Sequence, residues 1–78
     1  PNPFRSEARV KLNLAVGAEV SYEMYDLLGS RVLSKSPVLQ ARGQSELKLD
    51  ARDLLPGLYL LKVKVGAEMH TLKLNLIR

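Results

Sequence analysis

Cysteine is absent from the chain, histidine occurs once, and aromatic residues make up only 5% of it. Without cysteine there is neither a disulfide staple nor a thiolate metal site, and His70 has no second histidine with which to share a metal. Apolar runs are short, as at Leu58 to Leu61, far below the roughly 18 to 20 residues that cross a bilayer. No membrane span is expected. Residue 1 is Pro rather than Met, and the start has neither a basic segment nor an apolar stretch of signal-peptide type, so the chain reads as an excised piece of a longer one. Missing cysteine fits cytosol and exterior alike.

What is present is enough for one small domain. With 46% of its 78 residues hydrophobic and 26% charged, the chain is too short for two domains and too apolar for disorder. Residues 1–78 form a single module on this reading. A domain of this size removes only about 60% of its unfolded surface from water, so aliphatic side chains must supply the stability unaided. The net charge of +4 favours an anionic partner by steering rather than by specific recognition.

Period-two alternation runs through most of the chain. Ala8, Val10, Leu12 and Leu14 share one strand face opposite Arg9, Lys11 and Asn13; after Gly17, Ala18, Val20, Tyr22 and Met24 do the same opposite Glu19, Ser21 and Glu23. Asp26-Leu27-Leu28-Gly29 has the residue preferences of a type I turn, with the Asp carboxylate free to accept backbone N–H bonds. A short strand is expected from Arg31 to Ser34, interrupted at Ser36-Pro37, where proline belongs at a sheet edge or in a loop. Gln40 to Gln44 reads as a connection, and Leu47 and Leu49 alternate with Glu46, Lys48 and Asp50 in a strand with one wet face. Ala51 to Leu55 is expected to form one helical turn capped by Asp50, and Leu55-Pro56-Gly57-Leu58 a type II turn. Tyr59, Leu61, Val63 and Val65 mark the central strand, expected to be buried on both sides at its start. Gly66-Ala67 closes a tight hairpin into a final strand carrying Leu72, Leu74 and Leu76. About seven short strands with no helical period indicate an all-β, immunoglobulin-like antiparallel β-sandwich, although no Cys-Trp-Cys signature is present.

The inventory for catalysis is thin. His70, between Met69 and Thr71, reads as a solvent-facing strand histidine rather than a ligand or general base. Asp50 fits a cap and Asp53 the exposed side of a turn, so they make no acid–base pair, and the glycines occur singly, without a phosphate-loop pattern. No enzyme and no cofactor are indicated. Arg9, Lys11, Lys62, Lys64 and Lys73 could merge into a basic stripe if their strands were neighbours, but such residues more often solubilise a sheet. Nucleic-acid binding would also want exposed aromatics, whereas Tyr22 falls on the core face and Tyr25 and Tyr59 read as packing residues with hydrogen-bonded hydroxyls.

Four pieces in order carry a resemblance: Pro1-Asn2-Pro3-Phe4, Tyr25-Asp26-Leu27-Leu28-Gly29, Leu55-Pro56-Gly57-Leu58-Tyr59 and Lys73-Leu74-Asn75-Leu76-Ile77-Arg78. Together they resemble the C-terminal sorting domain of the type IX (Por) secretion system of Bacteroidetes bacteria. Pro1, Asn2 and Pro3 match the opening motif, Asp26 and Gly29 the first turn, Pro56, Gly57 and Tyr59 the second, and Lys73 to Arg78 the basic and aliphatic tail. Two departures stand out. Ser30 occupies the place where members often carry a basic residue, with Arg31 one later, and the aromatic that many members show ahead of the opening Pro is missing.

The resemblance implies export rather than chemistry. Such a domain would direct an upstream cargo, already in the periplasm, through the outer-membrane translocon. A sortase-like transpeptidase would then cut it off at the cell surface and attach the cargo to anionic lipopolysaccharide. The final strand, Thr71 to Arg78, is expected where its backbone and end can be engaged by the translocon, through strand addition or carboxylate capture. An unpaired terminal strand could also pair or swap between copies. The rival reading is an accessory sandwich domain that binds carbohydrate or packs on a catalytic domain; a sugar site would want exposed aromatics on a concave face.

Overall fold

The computed structural model describes residues 2–77. Seven strands follow one another: β1 (Asn2–Phe4), β2 (Glu7–Leu14), β3 (Ala18–Asp26), β4 (Arg31–Gln40), β5 (Gly43–Asp50), β6 (Gly57–Val65) and β7 (Glu68–Leu76). They form a five-stranded sheet in the order β1-β7-β6-β3-β4 and a two-stranded sheet, β2-β5, giving an all-β sandwich. Every pairing is antiparallel except β1 with β7, which run parallel.

Alternation explains the layers. The inward residues of β2, β3, β5 and β6 include Ala8, Leu14, Val20, Met24, Leu47, Leu49, Tyr59, Leu61 and Val63, and with Ala51, Leu74 and Leu76 they make one buried cluster. Met24, Leu49 and Leu61 have no exposed surface, and no polar or charged residue is buried among the described residues. Met24 and Leu61 are direct cross-strand partners, so the deepest contact sits between two interior strands of the large sheet. β6 is central, as its pattern predicts.

Several local expectations need correction. β4 is not interrupted at Pro37: it runs on to Gln40, with Ser36 and Pro37 looped out where the register shifts between Val20 and Tyr22. Because β4 is an edge strand, the missing proline N–H breaks no interior ladder. The connection expected over Gln40 to Gln44 shrinks accordingly, since β4 reaches Gln40 and β5 starts at Gly43. No helical turn forms after Asp50. A Leu54 N–H to Ala51 C=O bond of 3.1 Å closes a β-turn, with the Asp50 carboxylate accepting from the Arg52 amide at 3.1 Å. Ala51 is fully buried and its amide donates to Ser6 C=O at 2.9 Å, which ties the turn to the chain ahead of β2, while Pro56 disfavours helical backbone at Leu55 and leaves no room for a further turn.

At Leu55-Pro56-Gly57-Leu58 the chain bends without a type II turn. Gly57 has φ of 150° and already pairs with Leu76 as the first rung of β6, far from the value of about +80° that a type II turn requires. The positive φ still calls for glycine. Leu58, on the outer side of β6, is 43% exposed. β6 is therefore buried on one face only, since among the described residues nothing packs on the far side of the five-stranded sheet.

One buried group lacks a partner. The Ser45 hydroxyl is enclosed without a hydrogen bond, a condition that costs about 1–3 kcal/mol. Replacing it by alanine, Ser45→Ala, is expected to leave stability unchanged or raise it by about 1 kcal/mol in urea unfolding. Leu61→Ala, by contrast, should cost about 2–5 kcal/mol, because it opens a cavity in the best-packed part of the core.

Candidate functional site

The register gathers the four sequence pieces at one end of the large sheet. Asp26 on β3 pairs with Tyr59 on β6, Tyr59 with Leu74 on β7, and Leu74 with Asn2 on β1, so one row crosses four strands. The next rung outward is Leu58, Asn75 and Pro3, and the last is Gly57, Leu76 and Phe4. Residues far apart in sequence thus become neighbours. Pro1 and Arg78, the ends of the opening and closing pieces, lie outside the described residues.

The two turns at this end are held by side chain–backbone bonds. The Asp26 carboxylate accepts from the Leu28 amide at 3.0 Å and the Ser30 amide at 2.9 Å, while the Gly29 amide donates to the Asp26 carbonyl at 3.1 Å. Gly29 sits at φ of 88°, a left-handed conformation that disfavours any side chain. Across the row, the Tyr59 hydroxyl donates to the Leu55 carbonyl and so spans the Pro56–Gly57 bend. Its ring is 6% exposed and belongs to the core, which anchors the bend to the sandwich. Asp26, Gly29, Pro56, Gly57 and Tyr59 therefore shape this end from within or from its backbone.

What they display is apolar. Leu27 and Leu28, at the centre of the first turn, are 70% and 92% exposed, and Leu55 before the second bend is 79% exposed. Leu58 continues the patch on the outer face of β6. Sequence reading missed these leucines because it scored them as turn or core residues. The signal was available: the two middle residues of a four-residue turn point away from the sheet, so Asp-Leu-Leu-Gly advertises two solvent-facing leucines.

The tail divides by alternation. Leu74 and Leu76 are buried core residues, Lys73 is exposed, and Asn75 and Ile77 are half-buried. β7 starts at Glu68 rather than Thr71, and it is not an unpaired strand, since β6 covers one edge and β1 the other along Leu74–Leu76.

The neighbouring outer face is charged. Arg31 Nη1 lies 3.0 Å from Glu23 Oε2, and the Lys62 ammonium sits 5.4 Å from the centroid of the Tyr25 ring. The Arg31 guanidinium, then the Tyr25 hydroxyl, hold the Glu23 carboxyl below its ordinary range, and Glu23 in turn raises the Tyr25 hydroxyl. Arg31 thus faces the sheet in the position one beyond Ser30. The basic residues do not merge into one stripe: Arg9 and Lys11 lie on the small sheet, Lys62, Lys64 and Lys73 on the large one. His70 is exposed and touches Glu68 at 3.2 Å, and among the described residues no group of metal-binding side chains occurs.

Glu23 and Asp50, which Arg52 holds low in the same way, give the pH dependence its sign. Their contributions are present above the unfolded carboxyl range of about 4 and are lost as pH falls through the lower folded values. Both pairs are exposed, so the effect is small and screened by salt. Arg31→Ala is expected to move the Glu23 carboxyl midpoint upward in an NMR titration while leaving Asp50 in place. Asp26→Ala, which strips two amides of their acceptor, should cost about 1–2 kcal/mol of stability in urea unfolding.

A family model described as the secretion system C-terminal sorting domain matches residues 1–77. Neither a curated protein nor a solved structure matches the chain. The match covers the whole described fold, including the end where the four pieces meet. The chain belongs to the secretion system C-terminal sorting domain family, a type IX signal for export across the outer membrane to the cell surface or the medium.

Proposed function

We propose that this domain is a non-enzymatic address at the end of a larger cargo polypeptide, read in its folded form by the type IX outer-membrane translocon and then removed at the cell surface by a sortase-like transpeptidase. The observation that carries the reading is the apolar display of Leu27, Leu28, Leu55 and Leu58 at the end of the sheet where all four family pieces converge. Exposed leucines gathered at one end of a sheet are the usual mark of a protein-docking surface. Within the tail, Lys73, Asn75 and Ile77 would offer side chains to the translocon, and Leu74 and Leu76 would act through packing.

The rival sugar-binding reading has less support. Tyr59 is buried, Tyr22 packs against the core, and Tyr25 lies under Lys62, so the three tyrosines build no aromatic platform. A nucleic-acid reading is weakened by the division of the basic residues between the two sheets.

The test is a fluorescent protein fused ahead of this domain, carrying an inner-membrane export signal and expressed in a type IX-competent bacterium and its translocon mutant. Fluorescence should reach the exterior only in the competent strain, and equal distribution in both strains would refute the reading. Leu28→Ser combined with Leu55→Ser should trap most cargo in the periplasm while changing unfolding free energy by no more than about 0.5 kcal/mol, because both residues are exposed. Deleting Asn75 to Arg78 should also block export, but it removes Leu76 from the core, so the folded fraction of that variant has to be measured alongside.

A further inference from the structure

The two outer faces of the sandwich carry charge differently. On the small sheet, Arg9, Lys11 and Lys48 are matched by Glu7, Glu46 and Asp50. Arg9 contacts Glu7 at 3.0 Å, Lys11 stands directly opposite Glu46, and Asp50 holds Arg52 at 2.7 Å. On the large sheet, register puts Lys62 and Lys64 of β6, Lys73 of β7 and Arg31 of β4 on the outer face against Glu19 and Glu23 of β3. Arg31 takes Glu23 at 3.0 Å, and the Tyr25 hydroxyl shares that carboxylate. Among the described residues, Lys62, Lys64 and Lys73 form no ion pair. Unmatched positive charge thus collects on one side of the sandwich.

Solubility alone does not account for these lysines. A lysine guards a sheet when it sits on an edge strand, whereas β6 is interior, between β7 and β3. The β4 edge has guards of its own, since Lys35 stands opposite Tyr22 on the inner face and Pro37 is looped out. Alternate residues of a strand lie about 7 Å apart on one face and neighbouring strands about 4.8 Å apart. Lys62 and Lys64 therefore repel each other, and Lys73, paired with Leu60, stands one diagonal from Lys62. Like charges at this spacing cost stability in the free domain and are relieved when an anion covers them. Next to them Ser21 and Ser34 are short, and with Arg31, Lys62 and Lys64 they line a shallow open depression of about 260 Å³ into which an acidic side chain can reach.

We propose that the outer face of the five-stranded sheet around Lys62, Lys64 and Lys73 is a docking surface for an acidic segment of a partner protein, laid along β6 in extended form. Carboxylates at alternate positions of such a segment match the spacing of Lys62 and Lys64, and its next inward position meets half-buried Leu60. A continuous anionic surface such as a bilayer fits less well, because Glu19 and the Arg31–Glu23 pair lie on the same face and a segment confined to β6 and β7 avoids them. Nucleic acid would want an exposed aromatic for stacking, and the one aromatic on this face among the described residues, Tyr25, lies under Lys62. The contact rests on the charge imbalance and not on the leucine display, so either can fail without the other.

The experiment measures binding of a fluorescently labelled oligoglutamate peptide to the 78-residue chain by anisotropy at low ionic strength. Lys62→Gln, Lys64→Gln and Lys73→Gln together are expected to weaken binding by about tenfold or more. Arg9→Gln, Lys11→Gln and Lys48→Gln together remove the same charge from the small sheet and should weaken it by less than about threefold. All six side chains are exposed, and urea unfolding checks that both variants stay folded. In the unaltered chain, the peptide should shift amide NMR signals of β6 and β7 and leave those of β2 and β5 in place. No binding, equal losses in the two variants, or shifts spread over both sheets would overturn the proposal. Tighter binding through the same lysines to phosphatidylglycerol vesicles or to oligothymidylate than to the peptide would also overturn it, assigning the face to a membrane or to nucleic acid.

Discussion

A single aliphatic layer, centred on Met24, Leu49 and Leu61, is the contact on which the rest of this molecule depends. It is sealed by two strands on one side and only part of a five-stranded sheet on the other. With no disulfide to assist and no buried charge among the described residues to orient the sheets, register is set by alternation, and a slip by one residue would turn every inward leucine to water. That constraint leaves the outer face and the ends of the sheet free to carry recognition. The domain can present leucines on its turns because its stability is generated elsewhere.

The site is a product of register rather than of any one segment. Asp26, Tyr59, Leu74 and Asn2 come from four separate stretches and meet because antiparallel pairing of β3, β6 and β7 fixes their levels, with parallel β1 added at the margin. Tyr59 links the two scales of organisation. Its ring belongs to the core and its hydroxyl holds the bend that exposes Leu55. Core packing is thereby converted into the position of a surface residue.

Much of this was legible in the chain itself. The inward faces of β2, β3 and β5, the central place of β6, the Asp26 turn and the edge position of Pro37 all follow from side-chain period and turn chemistry. The departures share a physical cause, which is that sequence reports local preference and tertiary pairing decides between near-equal options. Gly57 was free to curl into a turn until Leu76 paired with it, and Ala51 was free to sit at the surface until its side chain was drawn into the core and its amide to Ser6. The outer face of β6 looked buried because Leu58 and Leu60 are apolar, and nothing in one sequence says that a sheet has no third layer. The exposed leucines were hidden by the same habit of assigning leucine to the interior.

The parallel contact between β1 and β7 joins the earliest described backbone to nearly the latest. During synthesis the first strand has no partner until the last emerges, and this separation makes the closing step slow. Losing the residues from Leu74 onward would remove the rung that fastens Asn2 together with two buried leucines, so the opening and closing strands stand or fall together.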